Sequence, residues 1–115
     1  MKIVLATDHA GFELKEQIKE KLLNKNFEIK DFGALTYNAL DDYPDFITPA
    51  AKFISNNPEF LGIIIGGSGQ GEAMAANRIK GIRAAVYYNG PKEIVKLSRK
   101  LKYNKQFCWR TYQRC

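Results

Sequence analysis

The chain has 115 residues, 45% of them hydrophobic, and carries 18 Lys and Arg against 12 Asp and Glu, a formal charge of +6 at pH 7. This length supports one domain with one core but is short for a complete doubly wound sheet, so partner chains are expected to complete the structure. No apolar run of about 18 residues occurs, and charges arrive too early for a signal peptide, which excludes a spanning helix and leads to the expectation of a cytoplasmic protein.

Lys2 to Ala6 is an apolar run that stops at Thr7-Asp8-His9-Ala10-Gly11, and Leu14, Ile18 and Leu22 then recur at helical spacing among Lys and Glu. The pattern predicts a strand, a loop and an amphipathic helix. Ligands of open parallel sheets gather beyond the carboxyl ends of the strands, which puts Asp8 and His9 where a site is expected, although a His beside an Asp serves equally as a cap or a solvated loop residue. Asn24 to Asn26 closes the helix, and Phe27 to Gly33 alternates and halts at glycine, as a half-buried strand does. Asp41-Asp42-Tyr43-Pro44-Asp45 supplies cap and first-turn residues for a helix whose apolar face is Tyr43, Phe46, Ile47, Ala50, Ala51 and Ile54. Pro49 conflicts with that helix and either kinks it or sits in the first turn of one that begins at Thr48. Tyr43 reads as the start of the apolar face, with a second reading in which its hydroxyl reaches a site from the loop.

Asn56-Asn57-Pro58 turns the chain into the stretch 60–78, which passes from a β-branched run through a glycine-rich turn into an alanine-rich segment. Strand, loop and helix are predicted. Gly66, Gly67, Gly69 and Gly71 leave the backbone nearly bare, so that successive N–H groups can converge on an anion with the positive end of the following helix behind them. Within this donor-rich turn Ser68 is the hydroxyl and Glu72 the carboxylate, and they are the candidates for chemistry. The plainer reading is a tight turn with Glu72 complementing the helix dipole, but four glycines in six residues exceed what a turn needs. A P-loop is excluded, because no lysine lies between Phe60 and Arg78, and the dinucleotide fingerprint fails, because its sixth place, counted from Gly67, is Glu72. Gly81 to Tyr87 predicts a fourth strand, Asn89-Gly90-Pro91 a break, and Lys92 to Arg99 a helix. Strand and helix alternating four times imply an α/β fold, an open parallel sheet with right-handed crossovers and helices on both faces.

Charge changes sharply at residue 100. Residues 1–99 hold 13 basic and 12 acidic side chains, whereas 100–115 hold five basic and no acidic ones. The division expected is therefore a domain over 1–99 and a basic-aromatic, poorly ordered tail over 100–115, with no strand or helix period in the tail. Cys108 and Cys115 make neither a disulfide framework nor a metal-ligand spacing, and a lone histidine argues against zinc.

Asp8-His9-Ala10-Gly11-Phe12-Glu13-Leu14-Lys15, Asp31-Phe32-Gly33, Asp42-Tyr43-Pro44-Asp45, Gly67-Ser68-Gly69-Gln70-Gly71-Glu72 and Ala75-Ala76-Asn77-Arg78 with Gly81-Ile82-Arg83-Ala84 together resemble the ribose-5-phosphate isomerase B family, whose wider membership includes the galactose-6-phosphate isomerase subunits. The resemblance implies a Rossmann-like parallel sheet, a homodimer with sites between subunits, no cofactor and no metal, and interconversion of aldose and ketose phosphates, most simply ribose 5-phosphate and ribulose 5-phosphate. One branch of the family carries a cysteine base at the place of Gly66. This chain is similar to the other, whose base is a glutamate, here Glu72. The resemblance further implies Asp8, His9 and Tyr43 as sugar contacts, the backbone of Gly67, Gly69, Gln70 and Gly71 as the oxyanion nest, and Ser68 as a hydroxyl partner.

The resemblance stops at Arg99. The family continues with Glu-His-Asn, whose histidine opens the sugar ring, then a strand and a long helix with phosphate-binding arginines. Here Leu101 holds the histidine position and the C-terminal part of the fold is expected to be incomplete. Three readings of the tail compete: a shifted reading frame, which is favoured, a shortened paralogue that binds sugar phosphate without turnover, and a basic-aromatic arm for single-stranded nucleic acid. The near-neutral body has no basic groove to extend such an arm. The expected activity is isomerisation of a sugar phosphate, slow on the cyclic substrate, with no membrane or nucleic-acid partner.

Overall fold

In a computed structural model that describes residues 2–33, 44–67, 69–87, 93 and 106–110, five strands form one parallel sheet. The strands are β1 (Lys2–Thr7), β2 (Glu28–Asp31), β3 (Phe60–Gly66), β4 (Ala84–Tyr87) and β5 (Gln106–Arg110), in the spatial order β2-β1-β3-β5-β4. Among the described residues they are accompanied by the helices α1 (Phe12–Asn24), α2 (Pro44–Asn56) and α3 (Gln70–Asn77), with a 3-10 turn over His9–Gly11. No helix among the described residues is long and apolar enough to cross a membrane.

Successive side chains of a strand face opposite sides of the sheet, and the core follows that alternation. Val4 and Ala6 of β1 and Phe60 and Ile64 of β3 pack with Ile47, Ala50, Ala51 and Ile54 of α2 and Ala73 and Ala76 of α3. Ile65, one step along β3, faces the other way and meets Gly11 at the start of α1, where a Cβ would overlap both Thr7 Oγ1 and Ile65. α1 lies against β1 and β2, while α2 and α3 lie against each other and the opposite face. Helices therefore cover both faces, as the alternating pattern implies.

Some local expectations need correction. α2 runs unbroken from Pro44, so Pro49 is interior to the helix rather than in the first turn of one beginning at Thr48. Its ring points to solvent, since Pro49 is exposed, and tertiary burial of the opposite face outweighs the missing N–H. A strand occupies 106–110, where no period was expected: β5 pairs with β3 from Gly62↔Gln106 to Gly66↔Arg110 and with β4 from Ala84↔Gln106 to Tyr87↔Trp109. A strand flanked on both sides in a parallel sheet needs a continuous β-prone run rather than alternation, and Phe107-Cys108-Trp109 is such a run hidden between charges. Apart from Glu93, the helix expected over 92–99 lies outside the described residues.

Candidate active site

β1 and β3 are neighbours in register from Lys2↔Phe60 to Thr7↔Ile65, and their connections leave in opposite directions, β1 toward β2 and β3 toward β4. That reversal opens a crevice at their carboxyl ends, the position where open α/β sheets hold ligands. Asp8 and His9 follow β1 directly, and Gly67 to Glu72 follow β3. Asp8 is buried and caps the 3-10 turn, its Oδ1 accepting the Ala10 N–H at 3.0 Å. The turn in turn brings Ala10 against the glycine loop, its Cβ 3.9 Å from where a Cβ on Gly67 would stand.

Thr7 clamps the two strand ends. Its hydroxyl donates to Ile65 O at 2.7 Å, across the β1–β3 seam, and lies 3.1 Å from Asp8 O. Gly69 caps α3 at φ +76°, a left-handed conformation that a side chain would strain, and its carbonyl accepts the Ala73 N–H at 3.0 Å. This reversal places Glu72 in the first turn of α3 with its side chain folded back over β3.

The Glu72 carboxylate occupies the space left by the absent side chain of Gly66: a Cβ there would overlap both carboxylate oxygens. Glu72 is 4% exposed, and its Oε2 has no hydrogen-bond partner among the described residues. Burial pushes its pKa above the ordinary glutamate value, the Asp8 carboxylate adds to the rise, and the backbone N–H groups of Glu72 and Gly69 oppose it without cancelling it. A desolvated carboxylate with a bare oxygen is a stronger base than one in water.

Asp8, His9, Gly67, Gly69, Gln70, Gly71 and Glu72 thus assemble at one edge of the sheet, with Gly69 buried, His9, Gly67 and Gly71 half-buried and Gln70 exposed. Ser68 and Tyr43 lie outside the described residues. The sequence marks Gly66 as part of the loop and as the place of a cysteine in another branch of the resembled family, but not as the seat of the Glu72 carboxylate. Sequence reasoning also missed Thr7, whose position as the last residue of a strand before Asp8 was the available signal. Among the described residues no group of three His, Cys, Asp or Glu side chains is placed to hold a metal ion.

Residues 3–105 match the family model described as Ribose/Galactose Isomerase. The chain is 47% identical over 89 residues to ribose-5-phosphate isomerase B of Mycobacterium tuberculosis H37Rv, covering 77% of this chain and 55% of that protein. It is 46% identical over 89 residues to its namesake from Mycolicibacterium paratuberculosis, covering 77% and 56%. It spans little more than half the length of these curated relatives. The structure is similar to that of ribose-5-phosphate isomerase B from Mycoplasma genitalium with bound ribulose-5-phosphate, with a TM-score of 0.87 and 37% identity over 95% of this chain and 71% of that one. The Thermotoga maritima ribose 5-phosphate isomerase has a TM-score of 0.86 at 37% identity, covering 94% and 72%.

Proposed function

Because the chain belongs to the ribose/galactose isomerase family, we propose that it interconverts an aldose phosphate and its ketose, ribose 5-phosphate and ribulose 5-phosphate being the substrate pair. The observation that carries the reading is the buried Glu72 carboxylate, seated on Gly66 at the mouth of a glycine loop, with one oxygen unpartnered among the described residues. In the open-chain aldose Glu72 takes the proton from C2 and returns it to C1. The O2 hydroxyl proton passes to O1 in the same exchange, so the atoms balance without a cofactor. Negative charge builds on oxygen between the two proton transfers, and the backbone N–H groups from Gly67 to Gly71 are the donors for it, with the Ser68 hydroxyl as a further partner. Asp8 and His9, with Tyr43, hold the sugar hydroxyls. The homodimer implied by the resemblance is part of this proposal.

The phosphate needs a cation near the same edge. Arg110 stands opposite Gly66 in the β3–β5 register, at the carboxyl end of β5, and we assign it that role from its place in the sheet. Arg110→Ala is expected to raise the KM for ribose 5-phosphate by roughly tenfold, and because remote phosphate binding also aligns the reacting carbons, kcat should fall as well. Equal KM values would remove Arg110 from the site.

The central test is solvent-deuterium exchange into C1 of ribulose 5-phosphate by the wild-type chain and Glu72→Gln. Loss of exchange by at least about a hundredfold in the variant is expected. Equal exchange would sink the assignment of the base, and binding of the sugar phosphate by the wild-type chain with no exchange would make it a binder without turnover.

A further inference from the structure

The most deeply buried side chain of α1 is a charged one. Lys15 has no exposure, and its Nζ lies 2.6 Å from Asp31 Oδ2 and 2.9 Å from Glu16 Oε1; Lys19 reaches the same Asp31 oxygen at 3.2 Å. Nothing in the proton transfer uses this cluster. Burying an ammonium costs far more than leaving it in water unless it is paired and hydrogen-bonded, and apolar residues would serve packing as well, so its place calls for a reason beyond packing.

The other Asp31 oxygen supplies one. Asp31 Oδ1 accepts the Gly33 N–H at 2.9 Å, Gly33 adopts φ +115°, and the Gly33 carbonyl accepts the Thr7 N–H at 2.6 Å. Thr7 is the residue whose hydroxyl bonds Ile65 O, directly before Gly66. An unbroken run of polar contacts therefore leads from the ion pair through the exit of β2 to the ends of β1 and β3, which carry Asp8 and the seat of Glu72.

We propose that Lys15 and Asp31 are positioning residues: their buried ion pair locks the Gly33 turn onto Thr7 and so holds the ends of β1 and β3, with the Asp8 and Glu72 carboxylates, in one fixed arrangement. The proposal rests on the reading of Glu72 as the base for its catalytic consequence, but not for its structural one. Among the described residues, Asp8 at the end of β1 is the charged group that acts on Glu72, and Lys52 of α2 and Arg78 at the end of α3 line a pocket with its neighbour Gly71. Lys15 itself is held by Asp31 and Glu16, and the run of contacts through Gly33 and Thr7 joins it to the strand ends.

The test follows the Glu72 carboxyl itself by carbon-13 NMR titration, with the resonance assigned by its loss in Glu72→Gln. Lys15→Met/Asp31→Leu removes both charges and the Gly33 acceptor, and an apolar pair of similar volume is compatible with folding. In the folded double variant the freed strand ends admit water to Glu72, and its midpoint is expected to fall by at least about half a pH unit. Proton exchange at the substrate carbon should drop roughly tenfold with a smaller change in KM, because alignment rather than binding is lost. Should the double variant fail to fold, Lys15→Met leaves Asp31 paired with Lys19; loss of a cation acting through space would raise the Glu72 midpoint, so a fall smaller than in the double variant is expected and a rise overturns the proposal. An unchanged Glu72 midpoint in either folded variant overturns the proposal. A wild-type chain whose Glu72 responds to these substitutions but exchanges no proton with substrate defeats the reading of Glu72 as base, and leaves the positioning in place.

Discussion

Glu72 and Gly66 form one unit. A carboxylate at 72 can fold back over β3 only because position 66 has no side chain, so Gly66→Ala is expected to expel the carboxylate from its seat and lower proton exchange to the level of Glu72→Gln. Overpacking should also cost about 1–3 kcal/mol in chemical denaturation. Retention of exchange in Gly66→Ala would show that the carboxylate works from elsewhere. Glu72 also leaves a thermodynamic signature. Its folded-state pKa is raised, so the native chain is favoured by the neutral acid, and that contribution is lost as pH rises through the folded value. Glu72→Gln should therefore melt higher than wild type at neutral pH, and the gap should close as the pH falls below about 4, where the side chain becomes protonated in both states. Asp31 has the opposite sign. Burial raises its pKa, but the Lys15 contact, the Gly33 N–H and Lys19 outweigh it and hold it below the ordinary value. Its contribution is present above the unfolded-state pKa near 4 and disappears as acid takes the pH through the lower folded value.

At the scale of elements, α2 and α1 show how far tertiary packing overrides local preference. Ile47, Ala50, Ala51 and Ile54 of α2 have no exposure, and this apolar stripe holds a helix that carries a proline in its interior. Pro49→Ala restores a donor for the backbone ladder on the exposed side and is expected to stabilise the chain by on the order of 1 kcal/mol in urea denaturation. A destabilised variant would mean that Pro49 fixes a bend the core requires. α1 has a different economy. Leu14, Ile18 and Leu22 are only half-buried, and the fully buried position on its sheet-facing side is Lys15. The apolar repeat identified α1 as a helix, but it did not mark the side chain that anchors it.

For the whole molecule, β5 is the element that joins the sheet. It is the only strand among the described residues linking β4 to the rest, through its ladders to β3 and β4. Proline at its centre removes an N–H from an interior parallel strand, a place that does not accommodate it. Cys108→Pro is therefore expected to abolish cooperative unfolding or to lower stability by on the order of 3 kcal/mol, whereas Cys108→Val should unfold as wild type does. Equal stability of the two variants would show that 106–110 is not an interior strand. The pairing of 106–110 also bears on the idea of a free basic-aromatic arm, since a backbone committed to two ladders is not available to lie along a nucleic acid.

The sequence by itself determined the alternation of strands and helices, the parallel sheet, and the assembly of Asp8, His9 and the 67–72 loop at strand carboxyl ends, because these follow from local periodicity and turn chemistry that neighbouring residues encode. Only the tertiary structure decided the rest. The seat of Glu72 on Gly66 depends on a left-handed Gly69 that turns α3 back over β3, and the path from Lys15 through Asp31 and Gly33 to Thr7 joins residues far apart in the chain. β5 lacked a readable period because a strand enclosed by two neighbours takes its identity from them, and even on the nearer side the paired residues, such as Ala84 and Gln106, are far apart in sequence. Spacing along a chain reports which face a residue occupies; contacts made across the sheet are set by packing that no local pattern contains.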